Sequence, residues 1–279
     1  MHTANRSRVT PLFAAMVLML CFHFTSTAMA QDADSSDQAP VAGSFSAWNM
    51  QVLYGTDFEE PFNPNQVGKL TLSIENSAAW SWGSSYFFVD TLYSTQNDNG
   101  AWDLYGEWYP SASFGKMSGK DLSAGIFKDI SLTMGLNAGR KSTGASPLVF
   151  LPGTTIDFKL PGFAFFSLGL YAYIDEGKFD GESNGCNNTG FQATSSWLVP
   201  FHLGKTDWQF GGFGEYITAH GACVEQFVSQ TQLLVDLGKA FGRSPEKFYA
   251  GIEYVYWNNK FGNKGLDESV PQFMMMYKF

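Results

Sequence analysis

Apolar and polar residues alternate along most of the chain, and clusters of Gly, Asn, Asp, Ser and Pro separate the alternating stretches. A period of two predicts β-strands with one apolar and one polar face. No convincing helical period follows residue 30. Twelve strands are predicted, at residues 46–55, 69–80, 85–93, 101–114, 127–137, 154–160, 163–173, 195–202, 207–217, 227–237, 247–257 and 270–279.

The positions of the charged residues predict which face of each strand points inward. A charge that faces lipid near the membrane midplane costs about 2 to 4 kcal/mol. Glu253 is therefore placed inside, which leaves Ile252 and Tyr254 outside; Glu215 orients the ninth predicted strand in the same way. A polar interior inside an apolar exterior predicts an all-β fold, a transmembrane antiparallel up-and-down β-barrel of about 12 strands.

The connections alternate between long and short, as the two rims of a membrane barrel require. Cys186 falls in the connection before the eighth predicted strand and Cys223 in the connection after the ninth, at the same rim, so a disulfide is expected, with two free thiols as the alternative. The long connections are residues 56–68, 138–153, 174–194 and 258–269, the short ones are 81–84, 161–162 and 203–206, and 115–126 and 238–246 are longer than this pattern predicts.

The amino end has the pattern of a secretory signal peptide. Arg6 and Arg8 precede an apolar run, and Ala28-Met29-Ala30 offers a cleavage site after Ala30. We expect a signal peptide at 1–30, a flexible leader at 31–43 and a barrel at 44–279. Removing two arginines and no acids changes the net charge from −9 to −11. This charge argues against nucleic acid as a partner.

The last nine residues, Pro271 to Phe279, place Phe273, Met275 and Tyr277 on one face and Lys278 on the other. This segment resembles the closing strand of a bacterial outer-membrane barrel. The resemblance implies that Phe279 is a signal for the barrel-assembly machinery and that the protein lies in the outer membrane, in contact with lipid. An edge strand of a soluble sandwich is the alternative.

Several motifs carry a closer resemblance. Leu53-Tyr54-Gly55-Thr56-Asp57-Phe58, Ile74-Glu75-Asn76-Ser77, Phe87-Phe88-Val89-Asp90, Gly106-Glu107-Trp108-Tyr109-Pro110-Ser111 and Lys120-Asp121-Leu122-Ser123 occur in this order. Together they resemble the nucleoside-specific channel-forming outer-membrane porins, the Tsx-like family. The resemblance covers about residues 48–140. It implies passive, substrate-selective uptake of nucleosides or similar small polar solutes.

Residue parity places a candidate solute site on the second to fourth predicted strands. Carboxylates there accept hydrogen bonds from sugar hydroxyls, while aromatic faces stack on a base. A negative lining also disfavours phosphate. The alternative is that the acids pair with Lys69, Lys128 or Lys159 and only hold the wall. The candidate substrate-binding residues are Glu75, Tyr86, Phe88, Asp90, Tyr105, Glu107 and Glu253.

Two other function classes remain open. A structural or adhesin-type barrel without specific transport is one. An outer-membrane hydrolase is the other, but His202 and His220 lack a Ser or Asp partner on an adjacent strand, and no Gly-x-Ser-x-Gly motif occurs. We expect no enzymatic activity, no cofactor and no metal.

Overall fold

The chain folds into a closed antiparallel barrel of twelve strands. A computed structural model describes residues 44–279; the predicted signal peptide and leader lie outside the described residues. The fold class predicted from sequence is confirmed. The barrel strands are β1 (Phe45–Phe58), β2 (Val67–Trp80), β3 (Gly83–Gln96), β4 (Trp102–Ser113), β5 (Phe127–Lys141), β7 (Leu148–Phe158), β8 (Phe165–Asp175), β11 (Thr189–Leu203), β12 (Thr206–Ile217), β13 (Gln226–Asp236), β14 (Phe248–Asn258) and β15 (Glu268–Lys278).

Each barrel strand pairs with the barrel strands before and after it, and β1 pairs with β15 to close the ring. The closing register places Val52 opposite Met275 and Leu53 opposite Met274. Closure leaves no unpaired strand edge, which a barrel in lipid requires. Three short strands in the connections, β6 (Ala145–Ser146), β9 (Lys178–Phe179) and β10 (Glu182–Ser183), form a separate three-stranded sheet.

The two rims differ. We call the rim with Phe45 and Lys278 the inner rim and the opposite one the outer rim. The two long inner connections each contain a short helix, Phe114–Ser118 and Leu237–Ala240, and the outer connection after β14 contains a 3-10 turn, Lys260–Gly262. Among residues 44–279, no helix is long and apolar enough to cross a membrane.

The outer wall exposes apolar side chains around its circumference. Along β15, Phe273, Met275 and Tyr277 are exposed, while the alternate residues Met274 and Met276 are buried. The other strands carry similar exposed residues on the same side. Contiguous apolar surface of this extent is unfavourable in water and favourable in lipid. Further examples are Leu70, Leu104, Leu132, Phe150, Phe191, Phe210, Leu233 and Ile252.

The interior is more apolar in places than the sequence predicted. Near the inner rim, Leu53, Leu234, Tyr249, Met274 and Met276 form a buried cluster inside the barrel. A second buried cluster combines Val149, Leu151 and Tyr171 on β7 and β8. These side chains fill part of the lumen, so polar groups line only the remaining part.

Two predicted strand boundaries were wrong by about six residues. β7 begins at Leu148 and not at Thr154, and β11 begins at Thr189 and not at Ser195. Pro152 and Gly153 fell in the predicted connection 138–153, yet both lie inside β7 and pair with Met134 and Thr133. The outer connections are correspondingly shorter than expected.

Candidate functional site

The candidate residues on β2, β3 and β4 lie side by side on the inner face of the barrel. The register places Glu75 opposite Phe88 and Phe88 opposite Glu107. Asp90 lies one step away along β3, opposite Tyr105. Two adjacent rows thus alternate carboxylates with aromatic rings, as residue parity predicted.

Three of these rings form a row. The ring centroids of Tyr86 and Phe88 are 6.1 Å apart, and those of Phe88 and Tyr105 are also 6.1 Å apart. The interplanar angles are 47° and 56°, so the rings are tilted and not stacked on each other. Tyr86 is 39% exposed although it faces inward, so water in the lumen reaches it. The row therefore offers ring surface to a solute.

Tyrosine hydroxyls orient the carboxylates beside this row. Tyr86 Oη donates to Glu75 Oε1 at 3.1 Å, and Asn49 Nδ2 donates to Glu75 Oε2 at 2.9 Å. Tyr105 Oη donates to Glu107 Oε1 at 2.6 Å. Each carboxylate oxygen can accept a further hydrogen bond. The acids are held in place while keeping capacity for donors from a solute.

Ion pairing does not neutralise these acids. Within residues 44–279, no Lys, Arg or His nitrogen lies within 4.0 Å of a carboxylate oxygen of Glu75, Asp90 or Glu107. Lys69, one of the expected partners, contacts Glu60 and Asp103. The alternative in which Lys69 pairs with the candidate acids is wrong, and the carboxyl groups of Glu75, Asp90 and Glu107 have no ion-pair partner among the described residues.

Glu253 lies on a different part of the wall, on β14. Gln232 Nε2 donates to one carboxylate oxygen at 2.8 Å, and Gln272 Nε2 donates to the other at 2.9 Å. The side chain faces inward as predicted, but it is buried between these two amides. It therefore offers little contact surface to a solute and does not join the group on β2, β3 and β4.

Sequence reasoning placed Glu215 inside the barrel but did not include it in the site. The structure places it on β12, where its carboxylate accepts from Gln192 Nε2 at 2.8 Å, and Gln192 lies opposite Tyr171 in the β8–β11 register. The rings of Tyr109 and Tyr171 are 6.0 Å apart. Only inter-strand packing reveals this grouping, because β4, β8 and β12 are far apart in sequence.

Glycines allow these tyrosines to lie close to the barrel wall. A Cβ atom at Gly135 would lie 2.6 Å from Tyr109 Cε1, so no larger residue fits under that ring. Gly169 provides the same room under Tyr171. The Tyr171 hydroxyl ends a chain of hydroxyl contacts of 2.8 to 2.9 Å that runs from Ser111 through Thr133 and Thr155. The wall is polar here without protruding far into the lumen.

A cluster of buried charged side chains lies at the outer rim. Its central residue is Glu60, which the sequence analysis did not single out. Glu60, from the connection after β1, contacts Lys69 on β2 and reaches Lys141 on β5 at 2.8 Å. Lys260 lies 3.9 Å from Glu60 and 2.5 Å from Glu268. We call Glu60, Lys69, Asp103, Lys141, Lys260 and Glu268 the mouth cluster.

The mouth cluster has three positive and three negative groups, so it is formally neutral. Burial favours protonation of Glu60, but Lys141, Lys260 and Lys69 outweigh this and lower the pKa of Glu60 to about 2. Burial lowers the pKa of Lys260, against the opposing effect of Glu268 and Glu60. Lys260 also lies 5.1 Å from the ring centroid of Phe261 and 5.5 Å from that of Trp257. These contacts fix the first and last outer connections inside the mouth.

The outer connections are also joined covalently. The structure contains the expected disulfide between Cys186 and Cys223, whose Cα atoms are 5.1 Å apart. Beside it, His220 Nε2 lies 3.6 Å from Asp175 Oδ2, and the bond to this carboxylate raises the pKa of His220. His202 Nδ1, at the inner rim, lies 2.5 Å from Asp207 Oδ1 on the adjacent strand β12, so the expectation that His202 lacks an Asp partner on an adjacent strand was wrong.

Phe279 follows the end of β15. Its ring is exposed, and its centroid lies 5.5 Å from that of Tyr277. Its amide donates to Trp48 O at 3.0 Å, which holds the last residue against β1. Its role as an assembly signal stays a prediction.

No group of three or more His, Cys, Asp or Glu side chains in the described part of the chain has an arrangement that could hold a metal ion. Carboxylates in the lumen are instead surrounded by amide and hydroxyl groups. Their chemistry suits hydrogen bonding to a polar solute.

Comparison of sequences finds a relative in Salmonella typhimurium, the nucleoside-specific channel-forming protein Tsx. The identity is 28% over 192 residues, which cover 59% of this chain and 63% of the relative. The corresponding protein of Salmonella typhi matches equally. The match thus spans less than two thirds of the length of these relatives. No protein-family model matches the chain.

Comparison of structures finds matches of low similarity. The translocator domain of autotransporter NalP from Neisseria meningitidis has a TM-score of 0.39 at 14% identity, covering 87% of this chain and 90% of that domain. OccK11 (OpdR) from Pseudomonas aeruginosa has a TM-score of 0.39 at 8% identity, covering 85% of this chain and 96% of that protein.

Proposed function

We propose that this protein is an outer-membrane channel for the passive uptake of nucleosides or similar small polar solutes. One observation carries the proposal: on β2, β3 and β4, a row of inward aromatic rings lies beside carboxylates that have no cationic partner among the described residues. The apolar outer wall supports a location in lipid, and the 28% identity to a nucleoside-specific channel-forming protein supports the solute class.

The two kinds of group match the two halves of a nucleoside. The rings of Phe88 and Tyr105 offer faces to the base, and stacking of a base on an aromatic ring contributes about 1 to 3 kcal/mol. The oxygens of Asp90 and Glu107 accept hydrogen bonds from ribose hydroxyls. A phosphate group brings negative charge toward these same acids, so nucleotides are disfavoured.

Transport requires weak binding. A site must be favourable enough to attract the solute and weak enough to release it. A dissociation constant near 1 mM, about −4 kcal/mol, meets this condition. One or two stacked rings with a few solvent-exposed hydrogen bonds are consistent with that magnitude. We therefore propose a single shallow site on β2, β3 and β4.

The test compares two adjacent phenylalanines. Phe88→Ala removes an inward ring, and Phe87→Ala removes its neighbour on the outward face of the same strand. In planar bilayers, Phe88→Ala weakens nucleoside block of the ion current by about 1 to 3 kcal/mol, the stacking contribution. Phe87→Ala leaves the block unchanged, and both variants keep the small-ion conductance.

Equal block in both variants contradicts the assignment of Phe88. A wild-type current that no nucleoside reduces contradicts the proposed solute class and favours a general or structural barrel. The proposal includes solute specificity, recognition of Phe279 by the barrel-assembly machinery and cleavage after Ala30.

A further inference from the structure

We propose that the lumen contains a second subsite, for a cationic hydrogen-bond donor such as ammonium or a small primary amine. It shares Glu107 with the proposed nucleoside site and adds Glu215, Gln192 and Asn137. It rests on the proposed channel function but not on nucleoside specificity. The subsite lies beside Tyr109 and Tyr171, on the strands β4, β5, β11 and β12.

The first supporting observation is charge. Glu107 lies opposite Asn137 in the β4–β5 register, and Gln192, which donates to Glu215, lies opposite Tyr171 in the β8–β11 register. The rings of Tyr109 and Tyr171, 6.0 Å apart, bring these two groups together on the lumen wall. Neither carboxyl group has a cationic partner within 4.0 Å among residues 44–279. Glu215 is 8% exposed, whereas Glu107 is partly exposed to the lumen. Two nearby acids in a confined space favour a cation over an anion, because low-dielectric walls concentrate their field.

The second observation is independent of charge. Gln192 is 0% exposed and Asn137 is 4% exposed, yet Gln192 Oε1 and Asn137 Oδ1 have no hydrogen-bond partner in the described structure. Buried polar atoms are normally paired, so these two oxygens call for a donor. Both side chains belong to lumen-facing positions. An ammonium group supplies N–H donors as well as positive charge.

The hydrogen bonds around Gln192 use its NH2 group and leave its oxygen without a partner. Gln192 Nε2 donates to Glu215 Oε2 at 2.8 Å and to Thr194 Oγ1 at 2.9 Å. The amide therefore uses its donors on the wall and leaves its acceptor free. Glu215 also accepts from Thr194 Oγ1 at 3.3 Å. The atoms without a partner are the two amide oxygens, which are acceptors and therefore suit a donor-rich cation and not a halide or phosphate.

The test uses the full-length protein in planar bilayers with salt gradients. With potassium chloride, the reversal potential of the wild type shows preference for cations. Replacing potassium with ammonium or methylammonium increases the permeability of the cation relative to that of chloride. Glu215→Gln keeps the shape of the side chain and lowers the cation-to-anion permeability ratio by at least about twofold, since a nearby unit charge is lost.

Glu225→Gln, the same change at an exposed residue of an outer connection, leaves the ratio unchanged. Heat-modifiable mobility in gels verifies that each variant is folded. Because Glu215 lies outside the proposed nucleoside site, Glu215→Gln keeps the nucleoside block.

The outcomes separate the two proposals. If nucleosides do not block the wild-type current but the wild type prefers cations, only the nucleoside assignment is contradicted. An unselective or anion-selective wild type overturns the cation subsite, as does an unchanged ratio in folded Glu215→Gln. A barrel that conducts no ions overturns both. If Glu215→Gln does not fold, the wild-type preference for ammonium over potassium decides alone, and its absence overturns the subsite.

Discussion

Replacing Glu60 by Gln tests whether the mouth cluster holds the first outer connection inside the barrel. The change keeps the shape of the side chain and removes its charge. Lys69 and Lys141 then keep only Asp103, which lies 3.6 Å from each of them, and Lys260 keeps only Glu268, so three lysines share two carboxylates. Removing one partner of a buried ion pair leaves an uncompensated charge, which is strongly destabilising.

The pKa of Glu60 sets the magnitude. A decrease from 4.5 to about 2 corresponds to about 3 kcal/mol in favour of the charged form. Removing one partner of a buried ion pair destabilises a protein by a similar amount, about 3 to 5 kcal/mol. Because the pKa is lowered on folding, this stabilisation is present above pH 4.5 and is lost as the pH falls through about 2.

Hydrogen exchange of the Glu59 and Asn63 amides measures the effect locally, because Glu59 N donates to Glu268 Oε2 at 2.8 Å and Asn63 N donates to Glu60 O at 3.1 Å. We expect Glu60→Gln to increase their exchange about a hundredfold at pH 7, the equivalent of about 3 kcal/mol. The difference from wild type should shrink as the pH falls from 4.5 toward 2. Glu59→Gln is the matched control, because Glu59 accepts only an exposed bond from Gln66 at 3.2 Å through its side chain. Exchange in Glu60→Gln within twofold of wild type would refute the role of the mouth cluster.

Three further predictions follow from other parts of the structure. If Cys186 and Cys223 are bonded in the cell, purified protein has no titratable thiol without reductant, and Cys223→Ser lowers stability by about 2 to 4 kcal/mol in chemical denaturation; two free thiols would contradict this. Deleting Phe279 reduces the heat-modifiable barrel in membrane fractions, and unchanged assembly would exclude it as a signal. Asp90→Asn reduces the preference for nucleosides over nucleotides in current block, because the repulsion of phosphate weakens; an unchanged ratio would remove Asp90 from the site.

The sequence predicted the strand count and the inward face because both depend on a local period of two. Glu253 and Glu215 were placed correctly, since a lipid-facing carboxylate is so unfavourable. The start of β11 was missed because a strand that faces a polar lumen has few apolar residues to mark it. Lumen-facing residues such as Gln192 and Thr194 are polar, and together with Gly190 they resemble a loop when no partner strand is known.

The mouth cluster could not be predicted in the same way. Glu60 lies in a connection, where no period limits its direction, and it contacts Lys141, which is 81 residues away in sequence. Lys69 was recognised as an interior lysine, but its partner depends on how that connection folds into the mouth. That Glu107 and Glu215 face the same lumen likewise depends on barrel closure, because β4 and β12 are not neighbouring strands.

Solute flux into liposomes containing the purified wild-type protein tests the central claim most directly. Radiolabelled nucleoside, its 5′-monophosphate and a disaccharide are compared at equal concentration, and protein-free liposomes provide the background. Nucleoside should enter faster than the other two, and unlabelled nucleoside near millimolar concentration should compete with it. Equal rates for all three solutes, without competition, would contradict a nucleoside-selective channel.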